Sequence, residues 1–151
     1  MKPEQDSARE VGCYASLILR LAIAALFFAA AFAKLKGGME TINGTVGYFK
    51  TAFAETWLPM WMVTIHAYIT PFAEALIAIW LPLGWKLKYG WLFAGLFTIS
   101  LAFGMSILGK HDIASGNYNY VLMCALGLYL SRFDCLSIDG CLRGCEGMKK
   151  Q

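Results

Sequence analysis

The sequence has 151 residues, of which 58% are hydrophobic and only 15% are charged, a balance that soluble domains of this size rarely reach. Its net charge of +3 is small, which argues against nucleic acid as a partner. We therefore predict one all-α domain that is embedded in a membrane and surrounded by lipid.

The chain begins with a mixed-charge stretch that has no helical apolar pattern, so residues 1–13 are predicted to form a solvated tail. The apolar run at residues 14–33 follows, and its length suits a transmembrane helix, which needs about 20 residues. We expect this first span to be retained, because the tail contains three acids and no small-residue cleavage site follows. Within the span, Arg20 either extends to the lipid head groups or pairs with a carboxylate.

A short amphipathic helix on the membrane surface is predicted between the first and second spans. Lys34 closes the first span, and Tyr48 and Phe53 lie on one helical side in the second half of residues 34–56. The second span then covers residues 57–83, which are apolar apart from a few polar positions.

These polar positions form a stripe in which His66, Thr70 and Glu74 recur at every fourth residue. A carboxylate inside a membrane normally faces protein or water, and Arg20, at a similar predicted depth, is the candidate ion-pair partner of Glu74. Such a carboxylate can serve a quinone head group or relay protons. A lone membrane histidine can ligate haem or chlorophyll, but for His66 we favour a hydrogen-bonded packing role.

Two further spans, at residues 90–108 and 118–130, complete a predicted four-helix membrane bundle within residues 14–133. The last span is short and requires little tilt or a locally thin bilayer. Eight basic residues fall on the side of the two termini and four on the opposite side, with Arg20 inside a span. This excess predicts that both termini lie in the cytoplasm.

The cysteines fall into two groups. Cys13 and Cys124 are isolated and are predicted to be structural thiols. Three more lie in the predicted cytoplasmic tail, residues 134–151: Cys135, Cys141 and Cys145. These three are the only metal candidates, but their spacing matches neither a common zinc pattern nor an iron–sulfur pattern, so we predict no metal. A permanent disulfide is disfavoured as well, because the predicted compartment is reducing. A role in docking or acylation is the remaining alternative.

Four segments of the chain carry a resemblance to a known family. They read LRLAIAALFFAAAFAKL, TVGYF, PFAEALIAIWLPLG and NYVLMCALGLYL. In this pattern the chain resembles the DoxX family, with its DoxD and MauE-like relatives. The family's landmark residues fall on Arg20, Lys34, Glu74 and Asn119. The resemblance implies a four-helix protein of a prokaryotic cytoplasmic membrane, often a partner of an electron-transfer or thiol-redox system, and DoxD-type members are associated with thiosulfate oxidation that delivers electrons to quinone.

Three functional hypotheses follow. The first is a small integral subunit of a quinone-linked redox complex, which anchors catalytic partners and contributes Arg20 and Glu74 to a quinone or proton site. The second is a structural accessory subunit of a larger energy-converting complex that binds lipid or pigment. The third is a small membrane carrier. The sequence contains no recognisable nucleophilic triad or phosphate-binding glycine loop, so we do not expect the chain to be catalytic alone.

Overall fold

The computed structural model describes residues 2–140, with side chains from Glu10 onward, and this part of the chain is helical without any strand. Its long helices are α1 (Lys2–Leu35), α2 (Gly38–Ala52), α3 (Met60–Leu83), α4 (Leu87–Ile107) and α5 (His111–Leu130). The predicted all-α class is therefore confirmed.

Three helical segments are long and apolar enough to cross a membrane: Glu10–Leu35, Met60–Leu83 and Leu87–Ile107. They correspond to the first three predicted spans, which supports a multi-pass membrane protein. The fourth predicted span lies within α5, which has 20 residues but a more polar first half, with His111, Asp112 and Asn117.

Helix α1 starts earlier than predicted, because the mixed-charge stretch continues the same helix back to Lys2. The stretch predicted to be a solvated tail is therefore helical, which its lack of an apolar pattern did not indicate. Its first residues include a proline and two acids, which are residue types that favour a helix N-terminus. The sequence prediction relied on apolar periodicity alone and missed these signals.

Helix α2 confirms that a short helix follows the first span. It begins at Gly38, whose φ of +63° is a left-handed conformation that glycine adopts at low cost, and this residue separates α2 from α1. The helix buries Ile42 and Val46, and it packs against both α1 and α3. Phe53, directly after α2, is also buried.

Helices α1, α3, α4 and α5 contact one another in cyclic order, with the most extensive contacts between α1 and α3 and between α4 and α5. The buried core contains side chains from all four helices: Ile23, Ala24, Phe27, Ile77, Ala78, Leu81, Leu87, Trp91, Ala94 and Cys124. Gly127 allows α5 to approach α4 closely, because a Cβ atom there would overlap the indole ring of Trp91.

The residues after α5 fold back onto the helices instead of leaving them. Asp134 and Ser137 are buried. The carboxylate of Asp139 accepts hydrogen bonds from the backbone N–H groups of Lys86 and Leu87, at 2.8 Å each, where α4 begins. The prediction of a separate tail from residue 134 is therefore wrong for residues 134–140, and the remaining residues lie outside the described part.

Candidate functional site

An ion pair between Lys34 and Glu74 lies inside the helix assembly. Lys34 is near the end of α1 and Glu74 is in α3, and Lys34 Nζ donates to both carboxylate oxygens of Glu74 at 2.7 Å. Glu74 is buried, whereas the Lys34 side chain remains 25% exposed. The pair therefore combines an enclosed acid with a base that reaches the surface.

A second ion pair joins Arg20 to Asp134. Arg20 Nη1 lies 2.9 Å from Asp134 Oδ2, and Arg20 Nη2 donates to the carbonyl oxygen of Leu136 at 2.6 Å. Arg20 is fully enclosed by protein. Both predictions for Arg20 are therefore wrong: it neither pairs with Glu74 nor extends to the head groups.

The position of Arg20 along the helices explains why it does not pair with Glu74. A Cβ atom on Gly84, just past the end of α3, would overlap the Arg20 guanidinium, so this group lies level with that end. Glu74 lies ten residues earlier in α3, which corresponds to roughly 15 Å along a helix. Lys34 lies 14 residues after Arg20 in α1, or roughly 21 Å, and its long side chain reaches back to Glu74.

A cavity of about 170 Å³ adjoins Glu74, and we call it the Glu74 cavity. Its walls combine apolar side chains with several polar ones: Leu26, Phe27, Ala30, Glu74, Thr98, Leu101, Asn117 and Tyr120. The buried hydroxyl of Thr98 donates to the carbonyl oxygen of Ala94 at 2.7 Å, so towards a ligand it can only accept. The cavity thus offers an acid, an acceptor, an amide and a phenol in an otherwise apolar space.

The asparagine in this cavity is Asn117 and not the predicted Asn119. Asn119 is exposed on α5, whereas Asn117 is partly buried. Asn117, Tyr120 and Cys124 lie at the helical spacing of three and four residues, so they share the face of α5 that packs inward. This spacing could have identified Asn117, but the predicted span started at residue 118 and excluded it.

His66 and Thr70 form a hydrogen-bonded group closer to the start of α3. Ser100 donates its hydroxyl hydrogen to the carbonyl oxygen of Phe97 at 2.6 Å, so it accepts from His66 Nε2, 2.9 Å away. Thr70 Oγ1 donates to the carbonyl oxygen of His66 and lies 3.4 Å from His66 Nδ1. A haem or chlorophyll on His66 would have to displace one of these hydroxyl contacts.

A second cavity of about 190 Å³ lies beside His66 and is more apolar than the Glu74 cavity. Residues of α2, α3, α4 and the connections beside them form its wall, which includes the phenylalanine and methionine side chains Phe49, Phe53, Met62, Phe103 and Met105. Leu101 borders both cavities. The stripe of His66, Thr70 and Glu74 therefore follows the inner side of α3 from one cavity to the other.

Cys13 and Cys135 form a disulfide, with their Cα atoms 5.6 Å apart. This overturns the prediction of an isolated structural thiol at Cys13 and the prediction that the tail cysteines form no disulfide, and it removes Cys135 from the metal candidates. The two cysteines are separated by 122 residues, so only the return of the chain after α5 brings them together. Cys124 is a buried free thiol, as predicted.

The other two metal candidates, Cys141 and Cys145, lie outside the described residues. Within the described part, no group of three or more histidine, cysteine or acidic side chains is arranged to hold a metal ion.

Comparison with protein families gives one match. The family model described as methylamine utilisation protein MauE matches residues 13–115, which is more than half of the chain. The chain belongs to the MauE family. This confirms the MauE-like part of the predicted resemblance. The matched segment contains Arg20, Lys34 and Glu74, but it ends before Asn117, Asp134 and Cys135. Neither curated proteins nor solved structures gave a match to the chain.

Proposed function

We propose that this MauE-family protein is a small integral membrane component of a redox system and that Lys34, Glu74 and the Glu74 cavity form its quinone site. The family description points to methylamine utilisation. Methylamine must be oxidised when it serves as a nutrient, and quinones are electron acceptors that dissolve in the membrane. Both facts support a redox setting for a multi-pass membrane protein.

The Lys34–Glu74 pair beside a cavity is the observation that carries this proposal. Ionisable groups inside a membrane are costly, so they usually mark a pathway or a binding site. An ammonium group has three N–H donors, and Lys34 uses two of them on Glu74 at 2.7 Å. The third is suited to the carbonyl oxygen of a ligand in the Glu74 cavity, while the apolar wall suits the ring.

A quinone bound in this cavity would take up two electrons and two protons. Glu74 is the acid that can hold a proton at the cavity wall, and the partly exposed Lys34 connects that acid to the surface. Asn117 and Tyr120, on the α5 side of the cavity, can donate to a second carbonyl oxygen. The electrons would come from other subunits, whose presence is part of the proposal.

We place α5 across the membrane with α1, α3 and α4, so that four helices span a prokaryotic cytoplasmic membrane. Helix α5 has 20 residues, which corresponds to about 30 Å and equals the usual thickness of the hydrocarbon core. Its polar residue Asn117 lines the Glu74 cavity, so part of its polarity is directed into protein.

Replacing Glu74 with Gln tests the proton role. The amide keeps the shape of the side chain but cannot exchange a proton. The rate at which the redox complex reduces quinone in native membranes should therefore fall about 100-fold, as for other proton-transfer groups. Glu55→Gln is the matched control, because Glu55 is exposed. Unchanged turnover in the Glu74→Gln variant, with the protein still assembled in the membrane, would contradict the proposal.

The redox partners can be sought in parallel. The tagged protein should be extracted from native membranes with a mild detergent and examined by mass spectrometry and absorption spectroscopy. We expect redox subunits with haem or flavin absorption to co-purify. A colourless protein without partners would contradict the role as a complex subunit and would shift attention to the carrier hypothesis, which uptake into vesicles would test.

A structural accessory role is the second candidate, and the outward-facing aromatic residues of α1 favour it. Phe28 and Phe32 are exposed and stack at 5.9 Å between ring centroids, so they present a flat apolar face to lipid or to another subunit. The double substitution of Phe28 and Phe32 with Leu should weaken co-purification of partners if this role is the main one. In that case the Glu74→Gln variant would retain turnover.

A further inference from the structure

The two cysteines of the disulfide differ in accessibility. Cys13 lies in α1 and is buried, whereas Cys135 lies in the returning segment, residues 131–140, and is exposed. An external thiolate can therefore approach the Cys135 side of the bond more easily than the Cys13 side. Access to one sulfur is a main determinant of how a disulfide exchanges.

Non-covalent contacts hold the chain on both sides of Cys135. Before it, Asp134 pairs with Arg20 at 2.9 Å, and after it the carbonyl oxygen of Leu136 accepts from the same guanidinium at 2.6 Å. Further along, Asp139 binds the first backbone N–H groups of α4 at 2.8 Å. These contacts do not depend on the sulfur–sulfur bond, so they favour a position of Cys135 next to Cys13 after reduction.

We propose that Cys13 and Cys135 form a thiol–disulfide exchange site whose substrate is a dithiol protein. A thiolate of the dithiol attacks Cys135 Sγ, a mixed disulfide forms, and Cys13 leaves as a thiolate that takes up a proton. The second thiol of the dithiol then attacks its own partner sulfur in the mixed disulfide. Cys135 is released as a thiol, the dithiol becomes a disulfide, and two electrons and two protons have passed to the Cys13–Cys135 pair.

The reverse reaction uses the same geometry. Because Arg20 binds the Asp134 carboxylate before Cys135 and the Leu136 carbonyl oxygen after it, the two thiols stay close, and oriented groups react far faster than free ones. The reduced pair can therefore pass its electrons to a second protein disulfide and close again. Arg20 is a positioning residue in this scheme, since it contacts the two residues that flank Cys135 and not the sulfur.

The compartment sets the resting state of the pair. The excess of basic residues predicts that this end of the protein faces the cytoplasm, where thiols keep most disulfides open. An oxidising compartment would keep the bond closed. The exchange site does not depend on the proposed quinone site, because Arg20 and Lys34 lie roughly 21 Å apart along α1.

The test uses the full-length protein in mild detergent. It is incubated, in its native state, with a thioredoxin variant in which the second active-site cysteine is replaced by serine, then quenched with maleimide and mapped by peptide mass spectrometry. We expect a mixed disulfide on Cys135 together with a maleimide-labelled Cys13. An intact Cys13–Cys135 bond, or adducts on Cys141 or Cys145 alone, would overturn the proposal.

A glutathione titration tests the positioning role of Arg20 and Asp134. The Asp134→Asn variant keeps the side-chain volume but weakens the contact with Arg20, so its disulfide should open at a glutathione ratio about tenfold less reducing, a shift of about 30 mV. Asp112→Asn, at an exposed position of α5, is the control and should match the native protein. If Asp134→Asn does not fold, Asp139→Asn keeps the Arg20 ion pair and tests instead whether the contact between the returning segment and α4 positions Cys135, which predicts a shift of the same sign. A midpoint unchanged in the folded variant would contradict the positioning role, and a bond that opens only on unfolding would overturn the exchange site.

Discussion

The two ion pairs of this protein have similar chemistry but different surroundings. Arg20 and Asp134 are both almost completely buried, and the returning segment that supplies Asp134 is also held by the disulfide. In the other pair, Glu74 instead lines a cavity of about 170 Å³, and its partner Lys34 remains partly exposed. The first pair therefore joins the returning segment to α1 at one end of the helices, whereas the second is the pair that we propose to contact a quinone.

The largest effect on stability is expected at the enclosed pair. Asp134→Ala leaves the buried Arg20 guanidinium without its counter-ion, and breaking such a pair costs about 3–5 kcal/mol of unfolding free energy. Denaturant unfolding in detergent should show this loss. The exposed Asp112→Ala serves as the control, and an equally small loss in both variants would remove the distinction between the two ion pairs.

A smaller loss of stability is expected between α4 and α5. Gly127→Ala places a methyl group against the Trp91 ring, and overpacking of this kind costs about 1–3 kcal/mol. Gly116→Ala, in the same helix, has open space around the new methyl group and should not be destabilised by overpacking. Because α5 carries Asn117 and Tyr120, Gly127→Ala should also disturb the Glu74 cavity. Thermal unfolding would measure the loss of stability, and quinone binding would measure the change in the cavity.

The smallest loss of stability is expected where the returning segment contacts the start of α4. Asp139→Ala removes the carboxylate that accepts from the N–H groups of Lys86 and Leu87, and loss of a helix cap costs about 1 kcal/mol. Hydrogen exchange should then increase in the first turn of α4 and leave the Lys34–Glu74 region unchanged. Faster exchange around Glu74 would show that the two ends of the protein are coupled.

The all-helical class and the first three spans could be predicted from the sequence, because long apolar runs indicate helices that lie in a membrane. The sequence also indicates Lys34 and Glu74 as candidate residues, since charges inside or beside apolar runs are conspicuous. It does not predict that these two residues pair with each other. Their pairing depends on how far α1 and α3 are shifted along each other, and a sequence gives helix depth only relative to helix ends that are themselves approximate.

The partners of Arg20 and Cys13 could not be predicted for a different reason. Both are supplied by residues that follow α5, at Asp134 and Cys135, and these polar residues looked like a solvated tail. Their position depends on the return of the chain over the end of α3, where Gly84 leaves space for Arg20 and Ser137. No local pattern in the sequence reports a contact across more than 100 residues.

Quinone binding to the purified protein in lipid nanodiscs is the decisive measurement for the proposed site at Lys34 and Glu74. A short-chain quinone should bind the native protein and should bind the Lys34→Met variant at least tenfold more weakly, because the variant lacks the ammonium donor beside Glu74. Lys36→Met is the matched control, since Lys36 is exposed two residues later, and it should bind like the native protein. Equal binding by the Lys34→Met variant and the native protein would contradict the assignment of the Lys34–Glu74 pair as the quinone site.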